Sequence, residues 1–402
     1  MKNKINKLVV ENNEKSSEKL IFKYLKESKI IQIKSSLSID THSFSQINHD
    51  GPGIILKSSG SQHKPKFCFH EVKNLNQSAN FSGIWLKEQG FNLRNIFIFN
   101  TLPLNHISGF MPLWRSKIWE CEYINISPNL IKRTKDLLEY SLSIKKNTQK
   151  RFITSLVPTQ LYRLLTNKDG ISWLKLFHLI WVGGASISRN ILETCIKEKI
   201  NISPCYGATE TAAMVSSLKP QEFLNRNFNA GELLKDVNIK INSKNLIEIK
   251  TDRIGLELGK SSEIRDFKNE NGWWESGDIG TKFNKNNKEY LKVYGRIDNT
   301  IISGGETIFL DLIEKRIEDF IIKRTIPIEY FKFEKINDKM WGSRYEILIY
   351  FKKNIEENII LKSLEELNSL SDNFSRFERP VKWLVIKSNL NDKNVRNWKK
   401  IL

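Results

Sequence analysis

The sequence predicts an α/β protein: a large N-terminal domain with mostly parallel sheets and a β segment, then a small α+β C-terminal domain. Three observations carry that prediction. Between about residues 54 and 215, short apolar runs alternate with segments of helical spacing, the pattern of parallel strands joined by crossover helices. From about 228 to 295 the period shortens to two, with Gly and Asn between the runs, as in an antiparallel β segment. From 299 onward one amphipathic stretch precedes three strand-like runs. The expected domain bounds are 1–297 and 298–402.

Residues 1–50 are polar and read as helices and connectors. Ile54 to Leu56 open a strand that runs into a loop of small and basic residues. Leu75, Ala79, Ile84 and Leu86 share a helical spacing, and NIFIFN is a strand ending before Pro103. FITSLVPTQLYRLL is a strand entering a helix near Pro158, whose fixed φ suits a first turn. LKLFHLIWV is apolar without alternation, so it is a strand buried on both faces, and it ends in Gly183-Gly184. A helix (RNILETCIKEK) follows, then NISPCYGATETAAMV, a short strand and a loop. VNIKI, LIEIK and EYLKVYG supply the β segment. The last part holds the helix DLIEKRIEDFIIK and the strands IEYFKFEK, YEILIYF and KWLVI. Ligands of α/β sheets gather at the carboxyl ends of the strands, so the Gly-rich turns after these runs are the places to look.

Composition removes several classes. The 402 residues are 40% hydrophobic and hold 10 Trp, 10 Tyr and 22 Phe, too many aromatics for a disordered chain. The net charge of +19 invites a nucleic-acid reading, but the basic residues are scattered and interleaved with Asp and Glu rather than massed on one stretch. Abundant Lys, Asn and Ile with scarce Ala and Gly fit the bias of an AT-rich genome, so no nucleic-acid partner is expected. The positive field suits small anionic substrates. Cys68, Cys121, Cys195 and Cys205 form no CxxC pair, so neither a zinc site nor a disulfide framework is indicated. The first twenty residues lack the apolar core of a signal peptide, and no run of about 18 apolar residues offers a membrane span. A cytoplasmic protein is the expectation. The sequence leaves a homo-oligomer open.

Four segments carry chemistry. Ser58-Ser59-Gly60-Ser61-Gln62-His63-Lys64-Pro65-Lys66 places hydroxyls, a Gly and lysines in a loop after a strand, which suits phosphate oxygens, although a solvated basic turn has the same look. In Tyr206-Gly207-Ala208-Thr209-Glu210-Thr211, small residues allow close backbone approach and Tyr206 offers a flat face to a purine. Thr209 can bond a phosphate oxygen, and Glu210 is a hard oxygen ligand of the kind Mg²⁺ takes. The plainer alternative is a polar turn in which Thr209 or Thr211 caps a helix. Asp278, in Glu275-Ser276-Gly277-Asp278, can bind both ribose hydroxyls, or form an ordinary Asx turn. Gly295-Arg296-Ile297-Asp298 through Ser303-Gly304-Gly305-Glu306 sits where the β segment gives way, and its paired glycines permit close passage of a thin ligand or a hairpin turn.

Taken together and in this order, these segments resemble the adenylate-forming superfamily of acyl-CoA synthetases, luciferases and peptide-synthetase adenylation domains. SSGSQHKPK looks like its phosphate loop, WVGGAS its adenine loop, and YGATET, ESGD and GRIDNTIISGGE its adenine, ribose and hinge motifs. LPLNHISGFMPLWRS and SLVPTQLYRLL are most similar to the o-succinylbenzoate–CoA ligases of menaquinone and phylloquinone synthesis. The resemblance implies ATP, Mg²⁺ and coenzyme A, and a C-terminal domain that is mobile about Asp298. It implies nucleotide contacts from Ser58, Ser59, Gly60, Ser61, Lys66, Gly183, Gly184, Ala185, Tyr206, Gly207, Asp278 and Arg296. It assigns catalysis to Lys393, Thr209 and Glu210, the metal to Glu210, and the acyl and CoA sites to His106, Gly304 and Gly305. Lys393 is placed by the tail NLNDKNVRNWKKIL, in which Asp392 replaces the family's Gly. Gln62 and His63 also depart from the family's phosphate loop. His106 lines the acyl pocket or is a structural histidine, while Ser108, Thr159 and Arg115 are unranked anchors for the acid. The remaining readings are an aryl- or fatty-acyl-CoA synthetase and, from another class, a basic nucleic-acid-binding protein.

Overall fold

The computed structural model describes residues 3–10, 15–35, 44, 46–58, 66–127, 129–259, 261–352, 354–386 and 399–400. The chain divides into two compact units, Met1–Ser186 with Cys195–Ser276 and Gly280–Val293, and Ile187–Thr194 with Gly277–Ile279 and Tyr294–Leu402.

The first unit is built on two sheets. In the larger, parallel pairing runs from Ile202–Ala208 through Leu179–Val182, Arg151–Leu156 and Ile96–Asn100 to Glu122–Asn125. Leu179, Ile180, Trp181 and Val182 are all buried, which is why that run shows no alternation. The helices Val72–Lys87 and Ile107–Trp119 close over it, and Trp85, Trp119, Trp181 and Ile98 share one apolar core. Beyond Ile202–Ala208 the same sheet continues through Ala213–Ser217, Glu232–Leu233, Lys288–Arg296, Trp274–Lys285, Leu246–Lys250 and Asn238–Ile241. The α/β class is therefore as expected.

Two local features go beyond the expectation. The stretch 228–295 pairs antiparallel as expected, but it serves two sheets: most of it extends the large sheet, while Leu256–Leu258 and Ile264–Asp266 leave to join the second sheet beside Phe67–Glu71. Alternation reports one buried face per strand and carries no record of which sheet supplies it. The polar N-terminus is not only helix and connector. Asn3–Val10 and Ile30–Ser35 pair in parallel, and Ile30–Ser35 pairs again with Gly53–Lys57. Ile30, Ile31 and Ile33 are buried, and so is Gln32, whose Oε1 accepts the Phe44 N–H at 3.2 Å. A hydrogen-bonded glutamine inside a strand erases the apolar signature that would have announced it.

In the second unit, Glu306–Phe309, Thr300–Ser303, Gly342–Phe351, Ile328–Asp338 and Lys399–Lys400 form a sheet, with Trp383–Val385 parallel to Gly342–Phe351. The helix Leu310–Arg324 buries Ile313, Ile317 and Ile321, spaced by four, against Ile347 and Ile349 of that sheet. Among the described residues no helix is long and apolar enough to cross a membrane.

Candidate functional site

The parallel strands of the first unit end in the turns that the sequence singles out. Leu179–Val182 delivers Gly183, Gly184 and Ala185. A Cβ on Gly183 would lie 2.9 Å from Cys205 Sγ and 3.1 Å from the Cys205 carbonyl oxygen on the neighbouring strand, so a side chain there must push the thiol aside. Ile202–Ala208 carries Tyr206 and Gly207 within the strand itself, and a bulge falls between them. A Cβ on Gly207 would lie 2.2 Å from the Ala213 carbonyl oxygen, which makes glycine a requirement of the pairing.

Thr209, Glu210, Thr211 and Ala212 form the connection to Ala213–Ser217, so no helix follows for Thr209 or Thr211 to cap. Thr211 is buried and closes the turn: its Oγ1 accepts the Ala208 N–H at 3.0 Å and donates to the Ala213 carbonyl at 2.7 Å. Thr209 and Glu210 remain partly exposed. Three carbonyls of this turn are held from one side, Thr209 by His70 Nε2 at 2.7 Å, Glu210 by the Gly255 N–H at 2.8 Å, and Ala212 by the Ser78 hydroxyl.

The loop read as phosphate-binding is closed at its base, where the Ser58 N–H donates to the Lys66 carbonyl at 2.8 Å. Ser58 Oγ is buried with no hydrogen-bond partner among the described residues. Lys66 lies 3.7 Å from Glu257, half in solvent. Ser59, Gly60, Ser61, Gln62 and His63 lie outside the described residues, as do Asp392 and Lys393.

His106 heads the helix Ile107–Trp119 with its ring exposed, so it is not a buried structural histidine. Partial desolvation and then the Lys57 ammonium lower its pKa. Nine residues on, the same helix buries Arg115 at 4% exposure. Its Nε donates to Ser82 Oγ at 3.1 Å, and the guanidinium lies 4.9 Å from the Trp181 ring, two residues before Gly183. No carboxylate pairs with it among the described residues, and Nη2 has no partner. Burial pushes its pKa down to about 9, with Cys205 raising and Arg253 lowering it further. Arg253, fully buried in the same unit, is matched by Asp236 at 3.0 Å. Among the described residues Arg115 thus has no counter-charge.

The second unit brings Asp278, Arg296 and Asp298 together. Arg296 Nη1 donates to Asp278 Oδ1 at 2.9 Å, and Nη2 reaches Asp298 Oδ2 at 3.4 Å. The Arg296 N–H donates to Asp311 Oδ2 at 2.9 Å, and Asn299 donates to the other oxygen of that carboxylate. Asp311 therefore bridges the segment read as a hinge. Gly304 and Gly305, at φ +58° and +87°, are the two central residues of a hairpin between Thr300–Ser303 and Glu306–Phe309. A turn with both central φ positive accounts for the pair without any ligand.

Sequence reading missed His70, Gly255, Ser78 and Asp311. His70 is the last buried position of an otherwise apolar strand, Phe67-Cys68-Phe69-His70, and a lone polar residue in such a run was the available signal.

The profile of the family described as AMP-binding enzyme matches residues 2–255. A curated relative named 2-succinylbenzoate–CoA ligase, from Listeria monocytogenes, is 27% identical over 309 residues, 76% of this chain and 61% of that protein. The chain spans about three fifths of the length of the curated relatives it matches. The o-succinylbenzoate CoA synthetase of Bacillus subtilis, solved with an acyl-adenylate intermediate, shares the fold with a TM-score of 0.65 at 21% identity, covering 95% of this chain and 80% of that one. Another structure of that synthetase, in complex with ATP and a magnesium ion, gives 0.64 at 20% identity over 93% and 78%.

Proposed function

The chain belongs to the AMP-binding enzyme family, and on that premise we propose that it is an acid–thiol ligase joining 2-succinylbenzoate to coenzyme A through an acyl-adenylate. In the first half-reaction a carboxylate oxygen attacks the α-phosphorus of ATP and pyrophosphate leaves. In the second, the CoA thiol attacks the adenylate carbonyl, loses its proton, and AMP leaves. Both partners of the first step are anions, so positioning and charge neutralisation are the protein's main tasks.

The observation that carries the choice of acid is Arg115. A buried guanidinium without a carboxylate is costly, and a ligand carboxylate is the natural partner. A monocarboxylic acid spends its single carboxylate on ATP. A diacid keeps a second one for Arg115, beneath the strand that ends in Gly183. The curated relatives carry the name of such a diacid.

The remaining roles follow the motifs. Ser58, Ser59, Gly60, Ser61 and Lys66 would receive the phosphates, with the orphan Ser58 hydroxyl as the described donor. Gly183, Gly184, Ala185, Tyr206 and Gly207 would take the adenine, and Asp278 with Arg296 the ribose. Lys393 would stabilise charge as the carboxylate attacks, and Gly304 and Gly305 would border the pantetheine path. Magnesium binds through one or two carboxylates plus substrate phosphates, so Glu210 suffices and a protein cage of three ligands, absent among the described residues, is not required. When bound, the ion neutralises phosphate charge. The four free thiols suit a cytoplasmic enzyme.

The test is acid-dependent ATP–pyrophosphate exchange with 2-succinylbenzoate, followed by detection of AMP and the CoA thioester. Turnover of benzoate or octanoate with none of the diacid would overturn the assignment in favour of an aryl- or fatty-acyl-CoA synthetase.

A further inference from the structure

His70 sits at the end of the strand Phe67–Glu71, fully buried, with its Nε2 2.7 Å from the Thr209 carbonyl. A carbonyl only accepts, so Nε2 carries the ring hydrogen. Nδ1 is then a bare acceptor, and it has no partner among the described residues. Burial pushes the pKa down to about 4, so the ring is neutral at neutral pH. One nitrogen is thus left unsatisfied to keep the other on Thr209. The next carbonyl, that of Glu210, is held by the Gly255 N–H at 2.8 Å, and that of Ala212 by Ser78. With these carbonyls turned inward, the backbone of the turn is set and the Cα–Cβ direction of Glu210 is set with it.

We propose that His70 is a positioning residue: its ring N–H grips the Thr209 carbonyl and thereby aims the Glu210 carboxylate at the nucleotide–metal complex. This rests on the reading of Glu210 given above. His70 touches no substrate and transfers no proton. It connects the strand that follows the phosphate loop to the turn that carries the acid, and the Cys68 thiol of that strand lies alongside, 3.2 Å from His70 Nε2 and 4.0 Å from the Thr209 carbonyl oxygen.

Two substitutions separate this role from mere packing. The amide nitrogen of His70→Gln reaches the place of Nε2, whereas that of His70→Asn reaches only the place of Nδ1. The full chain is titrated calorimetrically with ATP at a series of magnesium concentrations, with no acid or CoA present. His70→Gln is expected to bind Mg·ATP within roughly threefold of the parent. His70→Asn is expected to bind about tenfold more weakly and to need more magnesium, the size of effect for a buried carbonyl that loses its donor. In the exchange assay kcat falls for His70→Asn while KM for the acid is unchanged. Equal Mg·ATP binding by both variants overturns the proposal. Failure of the parent to bind Mg·ATP instead overturns the reading of Glu210. Where His70→Asn does not fold, the parent decides: the chain has 6 histidines, so ¹⁵N-histidine labelling resolves the ring. An Nε2–H tautomer whose shift responds to Mg·ATP is expected, and a ring indifferent to the nucleotide refutes the proposal.

Discussion

Replacing Arg115 by methionine sets stability against selectivity. The guanidinium is 4% exposed, and burial lowers its pKa from the usual arginine range to about 9. The sign follows from linkage. The folded chain holds this proton less tightly than the unfolded chain, so the penalty is present in full below about pH 9 and fades only as the pH rises above it. Its order of magnitude is about 4–5 kcal/mol at neutral pH. Against it stand one hydrogen bond to Ser82, about 1 kcal/mol, and the contact with the Trp181 face, about 1–2 kcal/mol. Arg115→Met keeps much of the volume and removes the charge, so the ligand-free protein is expected to gain about 2 kcal/mol, a rise of a few degrees in Tm. The same change removes the partner of the second carboxylate. Truncating one side of a buried charge pair costs about 2–5 kcal/mol, so KM for the diacid should rise at least about thirtyfold. KM for ATP and for a monocarboxylic acid should not change. Differential scanning calorimetry and acid-dependent pyrophosphate exchange read the two effects. A lower Tm together with unchanged diacid selectivity would refute the reasoning, because Arg115 would then be a satisfied structural cation.

Three further outcomes are expected. Gly183→Ala places a methyl against Cys205 Sγ and should destabilise the chain by about 1–3 kcal/mol, and the double variant with Cys205→Gly should recover most of it in urea unfolding. His70 is held neutral by burial, with its pKa lowered from 6.5 to about 4, so protons favour the unfolded chain in that window. Stability should fall by up to about 3 kcal/mol as the pH drops through it, and His70→Gln should flatten that part of the profile. Asp278→Ala should weaken Mg·ATP binding about tenfold and abolish the preference for ATP over 2′-deoxy-ATP, since a carboxylate that grips ribose loses its purpose when the hydroxyl is gone. Retained discrimination against the deoxynucleotide would remove Asp278 from the ribose site.

The motifs were legible because each needs a residue type that local sequence displays. Gly207 stands where backbones approach too closely for any Cβ, Gly183 against the Cys205 sulfur, and Gly304-Gly305 where both turn angles are positive. The parallel core was legible from LIWV, because a strand covered on both faces has no polar side to show. The N-terminal strands were not, because Gln32 is buried by a hydrogen bond to Phe44, twelve residues away. The destination of Leu256–Leu258 was not legible either, since it depends on an edge offered by Phe67–Glu71, almost two hundred residues earlier.

What the sequence determined by itself is therefore the family: small residues, hydroxyls and acids at strand ends, in an order that resembles the AMP-binding enzymes. Only the tertiary structure decided which polar groups stand alone and which hold others. Arg115 and Arg253 read alike in one dimension, yet Asp236 neutralises one and nothing described neutralises the other. His70 reads as a stray polar residue until the fold carries it to Thr209, 139 positions away. The reason is physical: propensity and periodicity are local, whereas the cost of burying a charge or a donor depends on partners that the chain supplies from elsewhere.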